Sequence, residues 1–293
     1  MSLIEQTLRQ ITKKLMTVRG GNRLIEPVRR HYVKRYTGAP DGSVIVSDFD
    51  GDLKLRIDRA SYMGSLIYWR GYHSLNELFC LRQLLKPEMV FADVGANQGE
   101  FTTFAAKYVP DGQVLSFEPL RDNFAVLGEN VALNHFQNVQ LFDCGLGEAP
   151  GSLEIFTSED LTAHGSWHEG LGSLYRTDYR SKSLGSVRIE VFDEQFARSG
   201  CTRLDGMKID VEGAELFVLK GAAQTIQEFH PFLMLEINEE TYQAAGYSKR
   251  DVVELLTGWG YRMFKIGRRG RRVSVDPHEL PDFCCTLWLP CTC

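Results

Sequence analysis

The rhythm of hydrophobic and polar positions changes twice along this 293-residue chain. Near the N-terminus Leu3, Ile4, Leu8, Ile11 and Leu15 recur at helical spacing, and Gly20-Gly21 breaks the run before a second, basic helix-like piece that reaches residue 35. Residues 44–57 then alternate, Val44-Ile45-Val46 and Leu53-Lys54-Leu55-Arg56-Ile57 flanking Asp50-Gly51, which predicts a β-hairpin. A short apolar helix is expected from Leu75 to Leu85, stopping at Lys86-Pro87.

From residue 89 onward strands alternate with helices. The strands are expected at Met89–Val94, Gln113–Phe117, Val139–Cys144, Met207–Ile209, Phe232–Ile237, Arg262–Ile266 and Cys284–Leu289. Helices are expected over Phe101–Tyr108, Asn123–Leu133, Ala214–Phe229 and Arg250–Trp259. This alternation predicts an α/β fold: a mostly parallel seven-stranded sheet with helices on both faces. One long interval, 148–204, interrupts it with strand-like runs (Ser152–Phe156, Val187–Phe192) around a Gly/Ser/His-rich stretch at 163–173. A polar excursion of that length inside an α/β domain marks a functional or mobile loop.

Composition adds little until it is split by region. With 43% hydrophobic, 24% charged and 11% aromatic residues the chain can bury a sizeable core, and a net charge of −5 gives no reason to expect nucleic-acid binding. Residues 1–37, however, hold nine Lys or Arg against Glu5 and Glu26, a net +7 that leaves −12 for the rest. That basic arm suits either a membrane surface or partner helix, or an extension packed on its own domain or on a second subunit of a homodimer. The missing Trp and Phe anchors favour packing, with at most weak surface association and no stable membrane insertion.

The seven cysteines are odd in number, and Cys284, Cys285, Cys291 and Cys293 crowd the C-terminus without CxxC spacing. This argues against a disulfide framework and against structural zinc. Without a transmembrane-length stretch or a signal-peptide h-region, the chain reads as cytoplasmic.

The chemistry begins where the first strand of the alternating region runs into Asp93-Val94-Gly95-Ala96-Asn97-Gln98-Gly99 and then a helix. In open parallel sheets ligands sit beyond the carboxyl ends of strands, and glycines there let backbone approach a ligand. The dinucleotide spacing G-x-G-x-x-G is absent, and Asp93 would repel a pyrophosphate but attract a sulfonium or ammonium. A second strand ends in Phe117-Glu118-Pro119, placing a carboxylate about twenty residues past the glycines, where ribose hydroxyls are usually bound. Together the two motifs point to a nucleoside ligand.

These residues, followed by Lys208-Ile209-Asp210-Val211-Glu212-Gly213-Ala214-Glu215 with Val218-Leu219-Lys220-Gly221, then Pro231 and Glu236, resemble the FkbM family of S-adenosylmethionine-dependent methyltransferases over about residues 75–290. Gly172-Ser173-Leu174 sits where that family carries a similar segment near the cofactor. The resemblance implies a Rossmann-like class I methyltransferase domain at 71–293, preceded by a basic helical extension and hairpin at 1–70. It also implies S-adenosyl-L-methionine as cofactor and O-methylation of a hydroxyl on a sugar, glycan or secondary metabolite.

On that reading Asp93, Gly95, Asn97, Gly99, Phe101, Thr102, Glu118, Pro119, Ser173 and Asp210 surround the cofactor. Asp143 and Cys144 end the third strand, where the fold frames adenine. Methyl transfer gains from alignment and from a carboxylate that takes the hydroxyl proton. Asp210, at the end of the fourth core strand, is the expected base or substrate-positioning group, with Glu212 and Glu236 placed to converge on it. Glu215 reads as an acid favourable to the first turn of a helix.

His164 is a further candidate base and His168 a weaker one. Asp210, Glu212 and Glu236 offer oxygens that suit Mg²⁺, but no spacing demands a metal. Arg268-Arg269-Gly270-Arg271-Arg272 is either a solvated hairpin tip or a guide for an anionic substrate. The acceptor is expected to be a small molecule or a glycan. Competing functions are N-methylation of a small-molecule amine, an NAD(P)-dependent oxidoreductase, and a non-catalytic nucleoside-binding protein.

Overall fold

A computed structural model describes residues 3–16, 20–39, 41–157 and 182–291. They form two compact units, one from the described part of Met1–Ser74 with Ala132–Asn134, the other from the remainder.

In the first unit, helices Leu3–Leu15 and Gly21–Tyr36 precede strands β1 (Ser43–Phe49) and β2 (Leu53–Asp58), and a helix Tyr62–Arg70 follows. The hairpin forms where alternation predicts it, and its turn places Asp50 and Gly51 at φ 44° and 95°, both left-handed. Ile25, Val33, Phe49, Leu55, Ile57 and Trp69 fill the core. The first helix departs from expectation. Its apolar positions are not the ones it buries: Glu5 and Thr12 face inward while Leu3, Ile4 and Ile11 are exposed. The reason is an ionic cluster beneath it. Glu5 accepts from Arg59 (2.9 Å), Tyr36 (2.6 Å) and Tyr68 (3.0 Å), and Arg9 and Lys13 both reach Asp48.

The second unit contains β3 (Val90–Val94), β4 (Gln113–Phe117), β5 (Val139–Phe142), β6 (Gly145–Leu146), β7 (Gly151–Thr157), β8 (Lys182–Glu190), β9 (Gly206–Ile209), β10 (Phe232–Asn238), β11 (Tyr261–Ile266), β12 (Arg272–Val273) and β13 (Phe283–Pro290). The main sheet runs β12-β11-β13-β10-β9-β3-β4-β5. Pairing is parallel from β5 through β10, and β13 runs antiparallel between β10 and β11. All seven predicted strands are present, and the two-residue β12 adds an eighth at the edge.

β3 is buried along its whole length, which is why, Asp93 apart, it reads as an apolar run rather than an alternating one. The helix predicted over 214–229 is two, Glu215–Gly221 and Ala223–Phe229, because Ala222 leaves the helical region (φ −110°, ψ 8°). The runs around 152 and 187 pair as antiparallel β7 and β8 in a separate small sheet with β6. The six described cysteines are free. Among the described residues no helix is long and apolar enough to cross a membrane.

Candidate active site

The order of the main sheet decides which residues meet. β3 lies between β4 and β9, so the segments leaving the carboxyl ends of all three converge. Leaving β3, the chain turns at Gly95 (φ 77°), and the Gly95 and Ala96 N–H groups both donate to Phe117 O at 3.0 Å. A Cβ at Gly95 would lie 1.9 Å from Asp210 O, and one at Gly99 2.7 Å from Leu127 Cδ1. At both positions a side chain would meet neighbouring protein, so the close approach of the Asp210 loop and of Leu127 requires glycine there.

Asp93 is wholly buried, and its Oδ2 accepts from Thr102 Oγ1 (2.7 Å), which also meets Ser116 Oγ at 2.9 Å. This ties the first turn of the following helix to β3 and β4. Glu118 closes the turn from the other side, one oxygen accepting from Asn97 N (2.8 Å) and the other from Leu120 N (2.9 Å). Burial pushes its carboxyl up to about 7, against the pull of those two donors. Each oxygen keeps a lone pair. Asn97 stands in the left-handed region (φ 50°), and its buried Oδ1 has no hydrogen-bond partner among the described residues. Spare acceptors at this position fit the hydroxyl donors of a ribose.

Lys208, a residue the motif contains but to which sequence reasoning assigned no role, holds the centre. Its Nζ donates to Gly95 O at 2.7 Å and stands 3.5 Å from Asp93 Oδ1 and 3.6 Å from Asp210 Oδ2. Burial by itself would lower its pKa, but Asp210 and then Asp93 outweigh it and raise the value above the ordinary lysine range. A lysine at the penultimate position of a buried strand was the available signal, since such a charge needs partners.

Glu215 is also more than a helix-end acid. Fully buried, it accepts from Val211 N (2.9 Å) and Gly213 N (3.0 Å) and so clasps the loop that carries Asp210 and Glu212, while burial pushes its carboxyl up to about 8. Tyr247 OH donates to Gly213 O (3.0 Å) and secures the same loop.

Side-chain oxygens of Asp210, Glu212 and Glu236 lie within 4.8 Å of one another, so the expected convergence occurs. Three carboxylates this close cannot all stay ionised without a counter-charge. Burial, followed by Asp210 and Glu212, pushes the Glu236 carboxyl well above the ordinary carboxylate range. The Asp210 side chain is 37% exposed and borders solvent. A cluster of acids alone does not make a metal site.

The remaining candidates are less uniform. Phe101 and Thr102 are buried in the first turn of the helix after Gly99, and Pro119 is half-buried beside Gly145. Asp143 is exposed, whereas Cys144 belongs to the main core, where burial pushes its thiol up to about 11. His164, His168 and Ser173 lie outside the described residues. The arginine run forms a tight turn at Arg268–Gly270, where Arg269 N donates to Asn76 Oδ1.

The chain resembles several curated methyltransferases. It is 30% identical over 176 residues to the methyltransferase sdnD of Sordaria araneosa, covering 53% of this chain and 66% of that protein, just under two thirds of its length. It is 29% identical to the hexuronic acid methyltransferase AglP of Haloferax volcanii, over 64% of this chain and 71% of AglP. It is 23% identical to the 2-O-methyltransferase NoeI of Sinorhizobium fredii, over 59% of this chain and 73% of NoeI. The family model for the methyltransferase FkbM domain matches residues 93–263, which begins at Asp93 and takes in Glu118, Lys208, Asp210, Glu212, Glu215 and Glu236. By that match, which spans more than half its length, the chain belongs to the FkbM methyltransferase family.

Proposed function

We propose that this chain transfers a methyl group from S-adenosyl-L-methionine to a hydroxyl of a sugar, glycan or secondary metabolite. The observation that carries the reading is a pairing at one sheet edge: a buried, acid-lined turn with spare acceptors, and beside it the half-exposed carboxylate of Asp210. Two relatives named for a hexuronic acid substrate and for 2-O-methylation support the acceptor class.

The cofactor, when bound, supplies an electrophilic methyl on a sulfonium. The chain does the rest. Glu118 accepts from ribose hydroxyls through the lone pairs its N–H partners leave free, and Asn97 Oδ1 accepts a further donor. Asp93 holds the first turn of the following helix against the strand through Thr102. Asp210 orients the acceptor hydroxyl and takes its proton. Glu236, whose neutral form is favoured by burial and by its acidic neighbours, lies beside the Asp210 carboxylate. Lys208 balances Asp93 and Asp210 and holds the turn to the strand that carries the base.

Calorimetry with S-adenosylmethionine, S-adenosylhomocysteine and NAD(P) tests the cofactor. Binding of a nicotinamide cofactor with no response to S-adenosylhomocysteine would overturn the proposal. A labelled-methyl screen over hydroxyl and amine acceptors, read by mass spectrometry, tests the acceptor class. With an acceptor in hand, Asp210→Asn is expected to keep S-adenosylhomocysteine affinity and lose about two to four orders of magnitude in turnover. Turnover within a few-fold of the parent would remove Asp210 from the role of base.

A further inference from the structure

The first helix buries a polar flank and leaves much of its apolar stripe in water. Ile4, Leu8, Ile11 and Leu15 follow the i, i+4, i+7, i+11 spacing that lines one stripe of a helix. In a helix that merely packs on its own domain, that stripe would be buried. Here Ile4 is 70% and Ile11 49% exposed, with Leu8 and Leu15 half-buried, and Leu3 at the helix start is more exposed still. The flank next to that stripe carries Glu5 and Thr12, both buried, and beyond them Arg9 and Lys13, which reach Asp48.

Burying ion pairs while an apolar stripe stays in water reverses the ordinary economy of folding. The ionic contacts fix the helix in this orientation. Glu5 is bonded to Arg59, Tyr36 and Tyr68, and the Arg59 guanidinium lies 3.6 Å from the Tyr36 ring centroid.

The adjoining helix, Gly21–Tyr36, supplies the charge. Its exposed positions include Arg23, Arg30, Lys34 and Arg35, with Leu24 64% exposed among them. Its one acid, Glu26, is half-buried and engaged by Arg29, Arg30 and Arg70, which hold its carboxyl down near 2. The first helix thus exposes apolar residues and the packed second helix exposes cations, with no exposed acid on the second helix. A second copy of the chain would bring two cationic faces together and be repelled. An anionic lipid surface matches both features, taking the aliphatic side chains at the acyl boundary and the cations among the headgroups.

We propose that the face formed by Leu3–Leu15 and Gly21–Tyr36 docks on an anionic lipid bilayer, lying in the interface plane. Co-sedimentation of the full chain with vesicles tests this, comparing phosphatidylcholine alone with phosphatidylcholine containing about 30% phosphatidylserine. Binding is expected to the mixed vesicles only, and to fall at about 0.5 M salt, where screening shortens the reach of charge.

Ile4→Asn with Ile11→Asn, and separately Arg23→Glu with Lys34→Glu, should each weaken binding about ten-fold or more. All four residues are exposed, so the thermal melt should not move. Equal partition to both vesicle types, no binding to either, or parental binding by both double variants would overturn the proposal. So would sedimentation velocity showing a dimer that Ile4→Asn with Ile11→Asn dissociates, because the stripe would then be a subunit interface.

Discussion

Replacing Lys208 by methionine keeps most of the unbranched stem and removes the charge. In the parent protein Nζ stands 3.5 Å from the wholly buried Asp93 carboxylate. At an effective dielectric of about 20 such a pair is worth about 5 kcal/mol of Coulomb energy. The 2.7 Å bond to Gly95 O is lost as well, worth about 1.5–3 kcal/mol for a charged donor. Relief from burying an ammonium offsets part of both. The more exposed Asp210, screened by water, is left out of the sum.

The expected net loss is about 3–5 kcal/mol, as for other buried pairs stripped of one partner. Urea unfolding should show this as a lower midpoint at unchanged slope. The sharper expectation concerns Lys208→Met combined with Asp93→Asn, which should recover about 2 kcal/mol or more, since no buried carboxylate is then left without its counter-charge. A single variant within about 1 kcal/mol of the parent, or a double variant as unstable as the sum of the two singles, would refute the pairing.

Two further outcomes follow from the same turn. Glu118 has its folded pKa raised to about 7, so its contribution to stability is fully present below its unfolded value and is lost as pH rises through about 7. Ligand binding runs the other way, because the ionised carboxylate accepts from both ribose hydroxyls. S-adenosylhomocysteine affinity should therefore tighten between about pH 6 and pH 8 by calorimetry, and Glu118→Gln should flatten the profile; a parental affinity independent of pH would count against this role. Gly95→Ala sets a Cβ 1.9 Å from Asp210 O at a positive φ, costing about 2–5 kcal/mol in chemical denaturation and weakening S-adenosylhomocysteine binding; an unchanged midpoint would mean the two loops do not pack as described.

How far the chain could be read unaided differs between site and scaffold. Asp93, Glu118 and Asp210 stand at strand ends in motifs of fixed spacing, so their placement on one sheet edge follows from local pattern and the rules of parallel sheets. Lys208 and Glu215 were harder. Their roles depend on which loops lie opposite them: Gly95 O belongs to a segment more than a hundred residues away, and the clasp of Glu215 depends on a loop geometry that no periodicity encodes. The convergence of Glu236 with Asp210 likewise needed β10 to lie beside β9. The rise in its pKa depends on burial, which only packing sets.

The sequence alone determined the seven strands, the hairpin, and the acids that end β3, β4 and β9, because each is written in a local alternation of apolar and polar residues or in a short motif. Only the tertiary structure decided what the two glycines make room for, which lysine joins the turn to the base, and which face of the first helix is buried. The last shows the physical reason most directly. Hydrophobic periodicity finds the stripe of a helix, but its orientation is set by competing contacts elsewhere in the unit, and here the Glu5–Arg59 and Arg9–Asp48 pairs turn that stripe outward.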